Sequence, residues 1–450
     1  MPSANRAGPR SPGAVADRIL DVFIERSIVG ALGERDGVWT FKYDAAWLES
    51  ATCFPIAPGL PLQAVGIVDG GTHRPVQWFF DNLLPEEDLR ERLAKETHIE
   101  AADAFGLLER YGAESAGALT LLAPGAARPD AGRRALSDSE IRSRIRALPR
   151  TSLEARAPKK MSLAGAQHKL PVILDDGLFE PVGSEPSTHI LKPDHRQPDR
   201  YPSSAVNEWY VMHLAANLGL PVPVVIHRYC PDAESKQGNE ALFIVERFDR
   251  RKTPQGTARI HAIDACQLMN VDRSFKYGLM SAETLRRIAD TTRSRAATRL
   301  RLFRWCIFNA ITGNADAHLK NLSFLVTRDG IELAPFYDLI ATAIFESEKP
   351  GSWGTVKMPI EIGRARQYGK LSRDDCVTLA SELRIAERAA VTMLDQMLRA
   401  MEAESDRLLA GFEEKPFPRS ASAQRAGETR VLRQIRRVVI HDMLKRLAPR

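Results

Sequence analysis

Apolar and polar residues begin to alternate at Leu20. Val22 and Ile24, then Ile28, Gly30 and Leu32, then Trp39, Phe41 and Tyr43 recur at every second position, with Gly33 and Gly37 as turn residues. Period two predicts a strand meander. The run Trp78–Pro85 leads into a helix starting near Glu86, whose first turn carries acids, as the helix dipole favours. Ser137-Asp138-Ser139-Glu140 has the spacing of a capping box and predicts a helix through Leu148. Leu170–Leu174 is an apolar strand followed by the hairpin signal Asp176-Gly177. Thr188–Lys192 and Leu242–Glu246 read as strands, and Asn207–Leu218 as a helix stopped by Gly219 and Pro221. His261–Met269 reads as the start of a helical region. Leu302, Cys306 and Ala310, with Phe303, Ile307 and Ile311, recur at helical spacing, and Gly313 is placed to cap that helix. Leu322–Val326 is again apolar and strand-like.

The length of 450 residues allows more than one domain, and a hydrophobic content of 44% supplies a sizeable core. Composition divides the chain into a disordered lead-in (1–17), a small α+β module (18–125), a linker and helix (126–150), a strand-rich part (151–260), a mainly helical part (261–410) and a basic helical tail (411–450). The net charge of +6 is modest and does not mark the whole chain as a polyanion binder. The cysteines Cys53, Cys230, Cys266, Cys306 and Cys376 lack metal-ligand spacing and read as reduced core residues. Met1–Val15 has no apolar segment of a secretory signal, and no run is long enough to span a membrane, so a cytoplasmic protein is expected.

The chemistry concentrates in Gly313–Asn321, a polar loop between a buried helix and an apolar strand. Such a loop is costly unless its side chains have partners. Asp316 is suited to accept a proton from a hydroxyl, Lys320 to neutralise a phosphate, and Asn321 to offer an amide oxygen to a hard cation. Asp338, in Pro335-Phe336-Tyr337-Asp338-Leu339, adds a carboxylate of the kind Mg²⁺ prefers. The plainer alternative is that Asp316 and Asn321 only cap turns. Upstream come a small-residue loop at Met161–Lys169, a strand lysine (Lys192), a helix glutamate (Glu208) and a strand that turns charged at Glu246–Arg250. That order is the layout of a bilobal kinase, with nucleotide between a strand-rich and a helical lobe.

The chain resembles the HipA family of serine/threonine kinases, the toxins of HipBA-type toxin–antitoxin modules. The resemblance is carried by Ser162–Lys169, Thr188–Pro193, Asn207-Glu208, Val245–Arg250, Gly313–Asn321 and Pro335–Leu339, and in the first module by Phe80–Pro85 and Ser115–Ala118. It implies an α+β, bilobal protein-kinase-like fold with a small N-terminal α+β subdomain and a mainly helical C-terminal lobe. It implies ATP and Mg²⁺ as cofactors and Asp316 as the catalytic base. His318 and Lys320 would brace the catalytic loop, and Lys320 would also stabilise transferred charge. Asn321 and Asp338 would be the metal ligands, and Lys192 a phosphate contact. Leu163, Ala164, Gly165, Ala166, Gln167 and Lys169 would form a loop over the phosphates. Glu246 and Phe248 would present hinge backbone groups to adenine, and Asp249 would reach the ribose. Ser162 would be a site of autophosphorylation that silences the enzyme. The implied partners are a helix-turn-helix (HipB-like) antitoxin, DNA indirectly through it, and a protein substrate in translation such as an aminoacyl-tRNA synthetase.

Beyond Gly411, basic residues interleave with Val431, Leu432, Ile435, Val438, Val439 and Leu444, the pattern of an amphipathic helix. The favoured reading is a helix packed on the core with a solvated basic face; the alternative is contact with nucleic acid. For the whole chain the competing readings are a non-catalytic co-repressor scaffold and a small-molecule or lipid kinase.

Overall fold

The computed structural model describes residues 17–159, 161, 167–230, 239–347, 349, 351–415 and 422–449. The expected lead-in up to residue 16, and Ser162, Leu163, Ala164, Gly165 and Ala166 of the small-residue loop, lie outside the described residues.

The first alternating stretch forms β1 (Arg18–Ile24), β2 (Ser27–Arg35) and β3 (Val38–Tyr43), joined by β4 (Ile67–Val68) and β5 (Leu119–Leu122) in the antiparallel order β4-β3-β2-β1-β5. Asp36 and Gly37 make the two-residue turn between β2 and β3, both at positive φ (52° and 79°), as a type I′ hairpin requires. Gly33 is not a turn residue: it pairs with Thr40 inside the ladder. One face of the sheet buries Leu20, Val22, Leu32 and Phe41, against which the helix Pro75–Asp81 sets Phe80, with ring centroids 5.6 Å apart.

A second, wholly antiparallel sheet contains β6 (Gly132–Ala135), β7 (Leu170–Leu174), β8 (Leu178–Val182), β9 (His189–Pro193), β10 (Val225–Cys230) and β11 (Glu240–Glu246), in the order β10-β11-β9-β7-β8-β6. The helix Asp138–Ala147, capped by Ser137, closes one face with Ile141 and Ile145 over Leu170, Val172, Leu191 and Ile244. The other face carries the helix Ser204–Asn217. That helix is apolar nearly all round and is buried nearly all round, between the sheet and the C-terminal helices.

A two-residue turn joins β12 (Arg250–Thr253) and β13 (Gly256–Arg259), and a short sheet follows from β14 (Ala262–Asp264), β15 (Ser323–Thr327) and β16 (Gly330–Leu333). The region expected to turn helical at His261 therefore begins with a strand. Helix starts only at Ala265, where Asp264 and Gln267 complete a capping box. The central helix Arg295–Thr312 ends at Gly313 in the left-handed conformation (φ 70°). The division expected at residue 410 falls inside one continuous helix, Glu387–Glu414. After it come the helix Ser422–Gln434, a π-helical stretch Ile435–Ile440 and the helix His441–Leu447. Val431, Leu432, Ile435, Val439, Ile440, Met443 and Leu447 are all buried, so the basic segment is part of the core and only its outer face is solvated. Among the described residues no helix is long and apolar enough to cross a membrane.

Candidate functional site

The β7–β9 register pairs Leu170 with Leu191, which brings Lys169 beside Lys192 at the sheet end facing the helical part. Lys192 points inward and is 8% exposed. Its ammonium donates to Glu208 Oε1 at 2.8 Å and to Asp338 Oδ1 at 2.6 Å. Burial opposes the Lys192 charge, but the Asp338 and Glu208 carboxylates outweigh it and raise its pKa. Burial would likewise raise Asp338, yet Lys192 and then Lys169 hold it down at about 2. Glu208 is pushed up to about 7 by burial, which outweighs its lysine partner. Lys169 falls to about 8 through burial and repulsion by Lys192. Asn207 ties the same helix to the segment after Asp338, donating to the Ala341 carbonyl (2.8 Å) and accepting from the Ala341 amide (3.0 Å). Asp338 itself sits at φ 57°, a strained conformation for a non-glycine residue.

The Gly313–Asn321 loop is cross-braced. The Asn314 side chain donates to Asn309 Oδ1 (2.8 Å) and accepts from the Asp316 amide (3.0 Å). Asn321 Nδ2 donates to the Asp316 carbonyl at 2.9 Å, which turns its amide oxygen the other way. Tyr337 donates its hydroxyl to the Lys320 carbonyl (2.7 Å), fixing the back of the loop to the residue beside Asp338. Asp316 is raised to about 6 by burial, against a hydrogen bond from the Tyr277 hydroxyl to Oδ1. His318 is lowered to about 4 by burial and by Lys276, so it is neutral, and its ring meets Tyr277 edge-on at 4.9 Å.

Two expected contacts go elsewhere. Lys320 does not face the Asp316–Asp338 side. Its ammonium donates to the Asn82 carbonyl (3.0 Å), Asn82 Oδ1 (2.8 Å) and Asp264 Oδ2 (2.6 Å), with Glu86 Oε1 at 3.4 Å. Those buried acceptors sit beneath the loop and leave the lysine a brace between the N-terminal module and the Gly313–Asn321 loop. Asp249 is also taken up. Both its oxygens serve Arg247 (2.9 and 2.7 Å), one also accepts from the Gly117 amide (2.7 Å), and Arg250 lies 3.1 Å away. The carboxylate takes part in a buried joint with the N-terminal module. At that joint Glu114 is held well below the usual carboxylate range: burial is outweighed by Lys159 (2.6 Å), Arg250 (3.0 Å), Arg259 (3.6 Å) and Arg247 (3.4 Å).

Of the other expected contacts, the Glu246 amide is used by the Val224 carbonyl (2.9 Å). The Phe248 amide has no hydrogen-bond partner among the described residues, and its ring stacks on Tyr337 at 5.5 Å. Gln167 Nε2 reaches the Pro193 carbonyl at 3.5 Å. Residue patterns alone do not single out Tyr277, which precedes Asp316 by 39 positions, or the buried Lys276–Glu86 pair at 2.6 Å. No periodicity marks either contact.

The geometry agrees with what comparison with known proteins finds. Residues 20–122 match the family model for the HipA N-terminal domain, and residues 161–405 that for the HipA-like C-terminal domain. The chain is 35% identical to Y4mE of Sinorhizobium fredii over 402 residues, covering 85% of this chain and 91% of that protein. It is 31% identical over 349 residues to the serine/threonine-protein kinase toxin HipA of Shewanella oneidensis, covering 73% and 76%. A solved complex of Shewanella oneidensis HipA, HipB and operator DNA contains a chain of the same fold, with a TM-score of 0.74 at 24% identity over 95% of this chain and 99% of that one. With both halves matched in order and the relatives matched along most of their length, the chain belongs to the HipA family.

Proposed function

We propose that this chain is an ATP- and Mg²⁺-dependent protein serine/threonine kinase of a type II toxin–antitoxin module. One observation carries the reading: the buried Lys192 ammonium is held between the buried Glu208 and the partly exposed Asp338, beside the Asp316 loop. A lysine held by two carboxylates is charged and fixed in place, which suits it to orient a phosphate chain. Asp316 is the proposed base. Its carboxylate is anionic above about pH 6 and takes the proton of an acceptor hydroxyl as the oxygen attacks. Asp338 and Asn321 fit a magnesium ion: both offer hard oxygen donors, and Asp338 is anionic throughout the physiological range. Bound there, the ion would supply positive charge to the phosphates during transfer. Lys320 and His318 act in this scheme by fixing the loop rather than by touching substrate.

The Shewanella relative assembles with HipB and operator DNA, and a helix-turn-helix antitoxin with indirect DNA contact is proposed here on that basis. The substrate is proposed to be a component of translation, such as an aminoacyl-tRNA synthetase. Ser162 is proposed as the site of autophosphorylation, which would put close to two negative charges where the ATP phosphates belong. The test is intact mass with phosphosite mapping after incubation of dephosphorylated protein with Mg-ATP, for wild type and Asp316→Ala. A phosphate on Ser162 in wild type alone is the expected result. Nucleotide binding with no transfer, to itself or to a panel of translation proteins, would sink the kinase reading in favour of a co-repressor.

A further inference from the structure

Two hydrogen bonds fix the backbone of Asp316: its amide donates to Asn314 Oδ1 (3.0 Å) and its carbonyl accepts from Asn321 Nδ2 (2.9 Å). Neither restrains the side chain, which stays free to change rotamer. Among the described residues one group holds the carboxylate. The Tyr277 hydroxyl donates to Oδ1, and Oδ2 has no hydrogen-bond partner there. Tyr277 itself stands on an anchored helical turn. Arg273–Phe275 is one turn of 3-10 helix, started by Asp272 accepting from the Ser274 amide (2.8 Å). The Leu279 and Met280 amides carry it on to the Phe275 and Tyr277 carbonyls (both 3.0 Å). Arg273 on Asp81 (3.2 Å), and Lys276 on Glu86 (2.6 Å) and Glu87 (3.0 Å), fasten the turn to the N-terminal module. The Lys276 carbonyl fastens it to the Gly313–Asn321 loop by accepting from the Leu319 amide (3.1 Å). The Tyr277 ring meets His318 edge-on at 4.9 Å. With backbone and ring both held, the hydroxyl is delivered to the proposed base in one place.

We propose that Tyr277 is a positioning residue for phosphoryl transfer: its hydroxyl fixes the rotamer of Asp316 by occupying Oδ1, and so leaves Oδ2 to the acceptor hydroxyl. This rests on the kinase reading above and divides the work between the two oxygens of its base. In the transfer the acceptor oxygen bonds the γ-phosphorus of ATP as the bond from that phosphorus to the β,γ-bridging oxygen breaks. ADP departs with the electron pair, and the acceptor proton passes to Oδ2. A carboxylate already held by one donor keeps its other oxygen in a fixed direction, so no rotamer search precedes the proton transfer. The contact also gives the N-terminal module a part in the reaction, through the Asp81, Glu86 and Glu87 carboxylates that hold the turn.

The experiment follows phosphate incorporation into the full chain, dephosphorylated, over a series of Mg-ATP concentrations, by intact mass with phosphosite mapping. Wild type is compared with Tyr277→Phe, which keeps the ring against His318 and removes only the oxygen. The maximal rate of the variant is expected to fall by about tenfold or more, with half-saturation by ATP within about twofold of wild type. Its melting temperature is expected to match wild type, which separates lost aim from a loosened fold. A rate that does not change overturns the proposal, as does a fall that comes with weakened ATP saturation or a lowered melting temperature. A faster variant also overturns it, since Tyr277 would then obstruct the base. So does a phosphate mapped to Tyr277 in wild type, which would make that hydroxyl an acceptor. Each of these leaves the kinase reading standing, because wild type still transfers phosphate. If wild type incorporates none, the kinase reading itself fails, and the role of Tyr277 with it.

Discussion

Lys192 and Asp338 are 146 positions apart in sequence and 2.6 Å apart in space. The contact closes the strand-rich part onto the helical part, and with Glu208 it fixes the position of three ionisable groups at once. Replacing Lys192 by Met removes the only cation in the triad. Phosphoryl transfer is expected to fall by at least about 100-fold, through lost positioning of the phosphates. Nucleotide titration alongside the transfer assay checks whether the loss lies in transfer or in binding.

Lys320→Met probes the brace. It strands Asp264 and Asn82 without their buried cation, a change expected to cost about 3–5 kcal/mol of stability. Chemical denaturation measures it. A variant with native stability and only weakened transfer would mean that the ammonium faces substrate instead.

Gly313→Ala tests the helix stop. An alanine at φ 70° costs roughly 1–2 kcal/mol, and its Cβ would lie 2.9 Å from Val439 Cγ1. Thermal melts should show the loss, and Val439→Ala in the same chain should recover part of it. Full additivity of the two changes would rule out the contact.

Glu428 is buried beneath the strand-rich sheet, where it accepts a hydrogen bond from the Tyr229 hydroxyl at 2.6 Å. Burial raises its pKa from 4.5 to about 7, with Asp194 adding to the rise. A carboxylic acid raised on folding stabilises while protonated: the contribution is present in full below pH 4.5 and is lost as the pH passes through 7. Glu428→Gln keeps an acceptor for Tyr229 without the charge. It should exceed wild type by on the order of 1–3 kcal/mol at pH 8, with little difference near pH 5. Denaturation at the two pH values decides.

Periodicity carried much of this architecture. The alternation from Leu20 to Tyr43 forms the three inner strands of one sheet, and the helical spacing from Leu302 to Ile311 lies within the helix that Gly313 ends. Lys192 and Glu208 were legible from the order of elements, a strand lysine followed by a helix glutamate, rather than from any period that pairs them. Side-chain direction in loops was not. Nothing local tells that Lys320 turns down to Asn82, 238 positions earlier, or that Tyr277 reaches Asp316. Asp249 did carry a signal: arginines two positions before and one after it are its natural partners. The boundary at residue 410 was drawn on a change in charge, while the apolar spacing of the helix Glu387–Glu414 runs on through it.

The C-terminal helices touch both halves of the site. Ser422–Gln434 lies on the helix that carries Glu208, and Val439 of the π-helical stretch packs against Gly313 at the mouth of the Asp316 loop. A ribosome makes these residues after every element they support. Until they emerge, the Glu208 helix is covered on its outer face by Glu387–Glu414 alone, and Gly313 lacks its contact with Val439. The charges near the site are thus encoded early, and part of the packing that holds their elements is encoded last.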